Sequence, residues 1–123
     1  MNDVPLRPAA LPGARHREMA AGRWWELTIC EQMAHVGSEV GRTLNWRTRN
    51  PEIARSALER ALELLDLTLA DPRYRHSVER LREVARAREV LLDFLVGENE
   101  YGSTGPDLQR YFDTFAAAVA RGR

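Results

Sequence analysis

Apolar residues recur three and four positions apart through most of the chain, and no stretch alternates with the period of two that a half-buried strand shows. From about Arg15 to Trp46, the residues Ile29, Cys30, Met33, Val36, Gly37, Val40 and Leu44 share one face at about 100° per residue. That spacing predicts one long helix. Gly37 and Gly41 lie four apart on the same face. They lower helix propensity, and the expected return is close approach of a neighbouring helix. A second helix is predicted from Pro51 to about Ala70. Asn50 is its N-cap, Pro51 takes the first helical position, and Glu52 suits the positive end of the helix dipole. Its apolar arc runs through Ile53, Ala54, Ala57, Leu58, Ala61, Leu62, Leu64, Leu65 and Leu69, wide enough to face two neighbours.

Asp71-Pro72 repeats the cap signal and predicts that a third helix opens there and ends near Val96, with Gly97 as its C-cap. Its apolar positions are Val78, Leu81, Val84, Ala85, Leu91, Leu92 and Leu95. A polar loop follows. Pro106 then starts a fourth helix with a stripe of Leu108, Tyr111, Phe112, Phe115 and Val119. Residues 1–13 contain Pro5, Pro8, Pro12 and Gly13 and read as an extended or disordered arm. Residues 14–123 read as a single domain. The expected fold is all-α: an antiparallel four-helix bundle with an extended N-terminal arm.

A chain of 123 residues, 44% hydrophobic and 29% charged, has the size and make-up of one soluble domain with one modest core. No apolar run approaches the roughly 18 residues of a membrane span. The opening MNDVPLRPAALPG has neither the basic start nor the apolar stretch of a secretory signal. The expectation is therefore a cytoplasmic protein with no membrane partner. The single cysteine, Cys30, excludes an internal disulfide and a cysteine-based zinc site, and reads as a small core residue. The formal net charge is zero, so nothing global argues for nucleic acid or acidic partners. All 18 basic residues are arginine. Arginine suits bidentate phosphate and carboxylate contacts, but a genome that favours arginine codons is the simpler account.

No phosphate loop, dinucleotide fingerprint, nucleophile elbow or metalloprotease pair is present, and no cofactor is expected. Three groups of residues stand out. Arg88 falls near the centre of the third helix's apolar face, between Leu81, Val84, Leu92 and Leu95, where a charge needs a partner or a polar pocket. Glu26, a charge within the apolar face of the first helix, is a candidate to answer it. A structural ion pair, an arginine at a subunit seam and a functional site all remain open. By contrast, Arg75, Glu79, Arg82, Arg86, Glu89 and Asp93 share another face with mixed signs, which reads as a solvated ladder.

The second group lies along the other side of the first helix: Trp24, Glu31, His35, Glu39, Arg42 and Trp46, with Arg49 at the following corner. Glu31, His35 and Glu39 have a spacing that would suit metal ligands, but the paired Glu-x-x-His of di-iron bundles is missing, so no metal is expected. Trp24, His35, Arg42, Trp46 and Arg49 fit a protein contact surface better, because tryptophan and arginine dominate interface energetics. The alternative is that the two tryptophans simply cover the bundle ends. The third group is the loop Glu98 to Gly102, where Asn99 and Tyr101 either seal the bundle or shape a site.

The block EVGRTLNWRTRNPEIARSALERALELLDLTLADP, with REVLLDF, NEYGST and YFDTF after it, resembles small uncharacterised helical-bundle proteins of bacteria and archaea. Their bundle is similar to that of the HEPN superfamily and of the partner subunits of minimal nucleotidyltransferases. The first likeness covers roughly residues 30–115; the link to HEPN proteins rests mainly on architecture. HEPN ribonucleases carry an Arg-x4–6-His motif on a late helix and act on RNA at a dimer cleft. The nearest stretch here runs from Arg88 to Asp93, and Asp93 stands where histidine would be. An exposed aspartate is ionised near neutral pH and makes a poor general acid. No histidine follows Arg88.

The expected function is therefore that of a non-catalytic helical-bundle protein. It would act by self-association, a dimer in the first instance, and by binding a partner protein of the nucleotidyltransferase type. The alternative is a HEPN-like ribonuclease or toxin–antitoxin component with a degenerate Arg-x4-Asp motif. A nucleic-acid partner has only the arginine clusters behind it.

Overall fold

The computed structural model describes residues 21–123, and the described chain is helical, with no strand. The arm expected over residues 1–13, and the first residues of the long helix expected from Arg15, lie outside the described residues.

The long first helix does not continue to Trp46 unbroken. Residues 21–24 are helical, and the chain then tightens: Glu26 N–H donates to the Arg23 carbonyl (3.1 Å) and Leu27 N–H to the Trp24 carbonyl (3.2 Å). Thr28 is extended (φ −69°, ψ 163°) and starts a new helix, α1, Ile29–Trp46. The restart is a capping box. Glu31 N–H donates to Thr28 Oγ1 (3.1 Å), and Glu31 Oε1 accepts from Thr28 N–H (2.8 Å), so two otherwise orphaned donors are satisfied. The apolar stripe of α1 begins at Ile29, the first residue after this break, so the stripe itself does not report it.

Helix α2, Pro51–Leu69, begins where predicted, with Asn50 Oδ1 accepting from Glu52 N–H (3.2 Å) and Ile53 N–H (3.3 Å). The third helix starts later than the Asp71-Pro72 signal implied. Asp71 caps only a short 3₁₀ turn, Pro72–Tyr74, and helix α3 runs Val78–Leu95. The physical reason is Tyr74. Its side chain is buried and its hydroxyl donates to Gln32 of α1, which pins the turn and diverts the chain before α3 can start. At the far end the C-cap is Val96 rather than Gly97, and Val96 and Gly97 N–H both donate to the Leu92 carbonyl (2.8 and 2.9 Å). Helix α4, Gly105–Ala120, is capped by Thr104, whose Oγ1 accepts from Asp107 N–H (3.1 Å).

Helix α1 is central: it packs against both α2 and α4, while α2 also packs against α3. The wide apolar arc of α2 is used as its breadth implied. Met33, Val36 and Val40 of α1, Ala61, Leu64 and Leu65 of α2, Val84 and Leu91 of α3, and Leu108 and Phe112 of α4 form one core. Gly37 explains how α4 comes so close. A Cβ built there would lie 2.7 Å from Phe112 Cβ, so only glycine fits. Gly41 sits against Gln109 of α4, where a Cβ would lie 3.0 Å from Oε1.

Candidate functional site

The most buried polar groups form one network at the start of α1. Gln32 and Asp71 are 0% and 1% exposed, so each needs complete hydrogen bonding. Gln32 Nε2 donates to the Trp24 carbonyl (2.9 Å) and to Asp71 Oδ2 (3.0 Å), and its Oε1 accepts from the Tyr74 hydroxyl (2.7 Å). Asp71 also accepts from the Arg73 backbone N–H (3.0 Å) and from its guanidinium (2.7 Å at the shortest). Arg73 continues to the Leu27 carbonyl (2.6 Å). Burial alone would push the Asp71 carboxyl up. The hydrogen bonds from the Arg73 side chain and backbone and from Gln32 outweigh it and hold the carboxyl below its ordinary value. The same partnership raises Arg73. Next to this network Trp24 Nε1 donates to Thr68 Oγ1 (2.9 Å), which donates onward to the Leu64 carbonyl (2.8 Å).

The network ties the turn before α1 to the turn after α2. Its carboxylate is saturated and shut away from solvent, so it is a clamp rather than a reactive centre. Sequence reading missed it, although one signal was there. Gln32 lies four and eight residues before Val36 and Val40, on the apolar stripe of α1.

Arg88, Glu26 and Asp93 are not brought together. Arg88 is partly exposed and pairs with Asp66 of α2, Nε to Oδ1 at 2.8 Å, with 33% and 58% of the two side chains open to solvent. Glu26 is exposed in the turn before α1. The expected partner was wrong because the buried line of α3 is narrow, Val84, Ala87 and Leu91, and leaves Arg88 at its edge facing α2. Asp93 serves the following loop, accepting from Glu100 N–H (2.7 Å) and Tyr101 N–H (3.0 Å).

Trp24 and His35 line one cleft together with Glu39 and Leu64, but Arg42, Trp46 and Arg49 do not join them in one surface. Trp24 is a core residue at 8% exposure, because the break at residues 25–28 turns it inward, where it stands 5.8 Å from the His35 ring. Trp46 is half-buried at the other end of α1, about 16 Å further along the axis than His35, with the Arg49 guanidinium 4.7 Å over its ring. Arg42 is exposed and pairs with Glu39 at 3.5 Å. No group of three or more potential metal ligands converges among the described residues.

The loop is built rather than slack. Asn99 adopts φ 56°, the left-handed region that asparagine tolerates better than most residues. It exchanges two hydrogen bonds with Ser103, Nδ2 to the carbonyl (2.9 Å) and Ser103 N–H to Oδ1 (2.8 Å). Tyr101 folds back on α3: its hydroxyl donates to Glu89 (2.8 Å) and Arg86 lies 4.8 Å over its ring. The bond to Glu89 holds the Tyr101 phenol above its ordinary value.

Two further features are open to a partner. Helices α3 and α4 are bridged by Tyr111, whose hydroxyl donates to Glu83 (3.2 Å), and a cleft of about 300 Å³ lies there. Ala87, Val90, Leu108, Tyr111 and Phe112 form its apolar floor, with Glu83, Arg86 and Asp107 at the rim. Burial, followed by the nearby Glu83 charge, drives the Tyr111 phenol far above its ordinary value. The second feature is the outer face of α3. Val78, Val96 and Tyr101 are the exposed large hydrophobic residues of the described chain, at 58%, 68% and 44%; the two valines stand at the ends of that helix, and Tyr101, from the loop after it, lies over its middle at Arg86 and Glu89. No described helix is long and apolar enough to cross a membrane. No protein-family model, curated protein or solved structure matches the chain.

Proposed function

We propose that this chain is an interaction protein: an antiparallel four-helix bundle that acts by self-association and by docking a partner protein. The observation that carries this reading is where the exposed apolar surface lies. The large apolar side chains left open concentrate around α3, and the cleft beside it has an apolar floor with a charged rim. That composition, an apolar centre with a polar border, is the make-up of a binding interface.

The charged groups singled out in sequence support the same reading. Arg88 is spent on Asp66 and Asp93 on the loop backbone, so the Arg-x4-Asp stretch does not converge on one reacting point. A partner of the nucleotidyltransferase type, implied by the likeness to HEPN-like subunits, would meet the bundle at the α3–α4 cleft, where an apolar side chain finds Val90, Leu108 and Phe112. Light scattering on the full chain over a wide concentration range tests the self-association. A mass rising towards twice that of one chain is expected. A single-chain mass at every concentration removes it.

A further inference from the structure

The charges on the outer face of α3 are sorted along its length. Its first half carries Arg82 and Arg86 with one acid, Glu79, while Glu83 turns towards α4 and meets Tyr111. The second half and the loop after it carry Glu89, Asp93, Glu98 and Glu100. The same face has a second order. Val78, Arg82, Ala85, Glu89, Leu92 and Val96 follow one another at steps of four and three, the spacing of a two-helix seam. All are exposed except the half-buried Leu92.

We propose that two copies of this chain pair through this face, with the two α3 helices antiparallel about a twofold axis level with the midpoint of Ala85 and Glu89. In that register Val78 of one copy meets Val96 of the other. Arg82 meets Leu92, and Arg86, which lies over the Tyr101 ring of its own chain, comes beside the partner copy's Glu89, whose Oε2 already accepts from Tyr101. The basic half of each helix lies on the acidic half of its mate, and because the contact is isologous every favourable pair occurs twice. A parallel pairing would instead set Arg82 and Arg86 beside their own counterparts. The seat for Val78 is already formed, since Leu92, Val96 and Tyr101 line a groove at the end of α3. Exposure of 58% and 68% at two valines, one at each end of a single face, has a direct account in this register: each covers the other. One helix face is a small interface, so micromolar affinity is expected rather than nanomolar.

This inference rests on the self-association reading and names its surface. Sedimentation equilibrium on the full chain, with Val96→Glu and Val78→Glu beside the wild type, tests it. Both positions are exposed, so the helical circular dichroism of the variants should match wild type. The dissociation constant should rise at least about tenfold in each variant. Geometry is read by cross-linking in a Cys30→Ser background. Chains with Val78→Cys mixed with chains with Val96→Cys should oxidise to a mixed covalent dimer, while Val78→Cys alone should not. Unchanged association in both glutamate variants, or efficient cross-linking of Val78→Cys to itself, overturns the α3 pairing and leaves self-association standing. A wild type that stays monomeric overturns both.

Discussion

Asp71 and Gly37 show how single residues fix this molecule. Asp71 is a buried carboxylate whose every bond is local to one clamp, and removing it strands Gln32 and Arg73 together. Asp71→Ala should lower unfolding free energy by about 1–3 kcal/mol, the cost of leaving the buried Gln32 amide without its acceptor, since the Arg73 side chain is itself 44% open to water. Its pH dependence has a definite sign. The folded carboxyl lies below its ordinary value of 3.8, so its contribution is fully present above that value and is lost as pH falls through the folded one. In urea titrations the gap between wild type and Asp71→Asn should hold steady from about pH 5 to 8 and close below about pH 4. Gly37→Ala tests the close approach of α1 and α4. Helix propensity alone favours alanine by about 1 kcal/mol. The new methyl, however, would stand 2.7 Å from Phe112 Cβ, an atom fixed to the α4 backbone. The account predicts a net loss of about 1–3 kcal/mol in thermal or urea unfolding. A gain would mean that the helices are not that close.

Element boundaries were legible wherever a cap acts locally. Asn50-Pro51 and Pro106 marked helix starts because their hydrogen bonds and fixed φ depend on the next two or three residues alone. Thr28-Ile29-Cys30-Glu31 is equally local and could have been read as a capping box. The apolar stripe starts only at Ile29, so it is silent about whether the chain before Thr28 is continuous with it. Thr28→Ala should cost about 1 kcal/mol in urea unfolding, and a continuous helix would instead be indifferent to it. Asp71-Pro72 failed in the other direction. Its cap is real but serves a 3₁₀ turn, because Tyr74 is held by Gln32 forty-two residues away, and no local pattern reports that. Arg88 teaches the same lesson for side chains. The wheel placed it in the core, yet α3 buries only a narrow line and its pair with Asp66 is half open to water. Arg88→Ala is accordingly expected to cost less than about 1 kcal/mol. A loss of several would restore the buried-charge reading.

At the scale of the whole molecule, the all-helical architecture followed from period and caps, while the surface that matters did not. The mixed charges of α3 read as an ordinary ladder along a helix. Their sorting into a basic and an acidic half acquires meaning only once Val78 and Val96 are seen to be exposed at its two ends. Exposure is a tertiary property, set by which face α2 covers, and a sequence states it only indirectly. The α3–α4 cleft is likewise a consequence of packing, since it lies where the two helices are bridged by the Tyr111–Glu83 contact. Hydrogen exchange on the full chain, at concentrations below and above the association midpoint, tests the central claim most directly. The account predicts added protection at high concentration in α3 and in the loop through Tyr101, and none in α1 or at the corner around Trp46. Protection that does not change with concentration, or a gain confined to the α1–α2 corner, would contradict it.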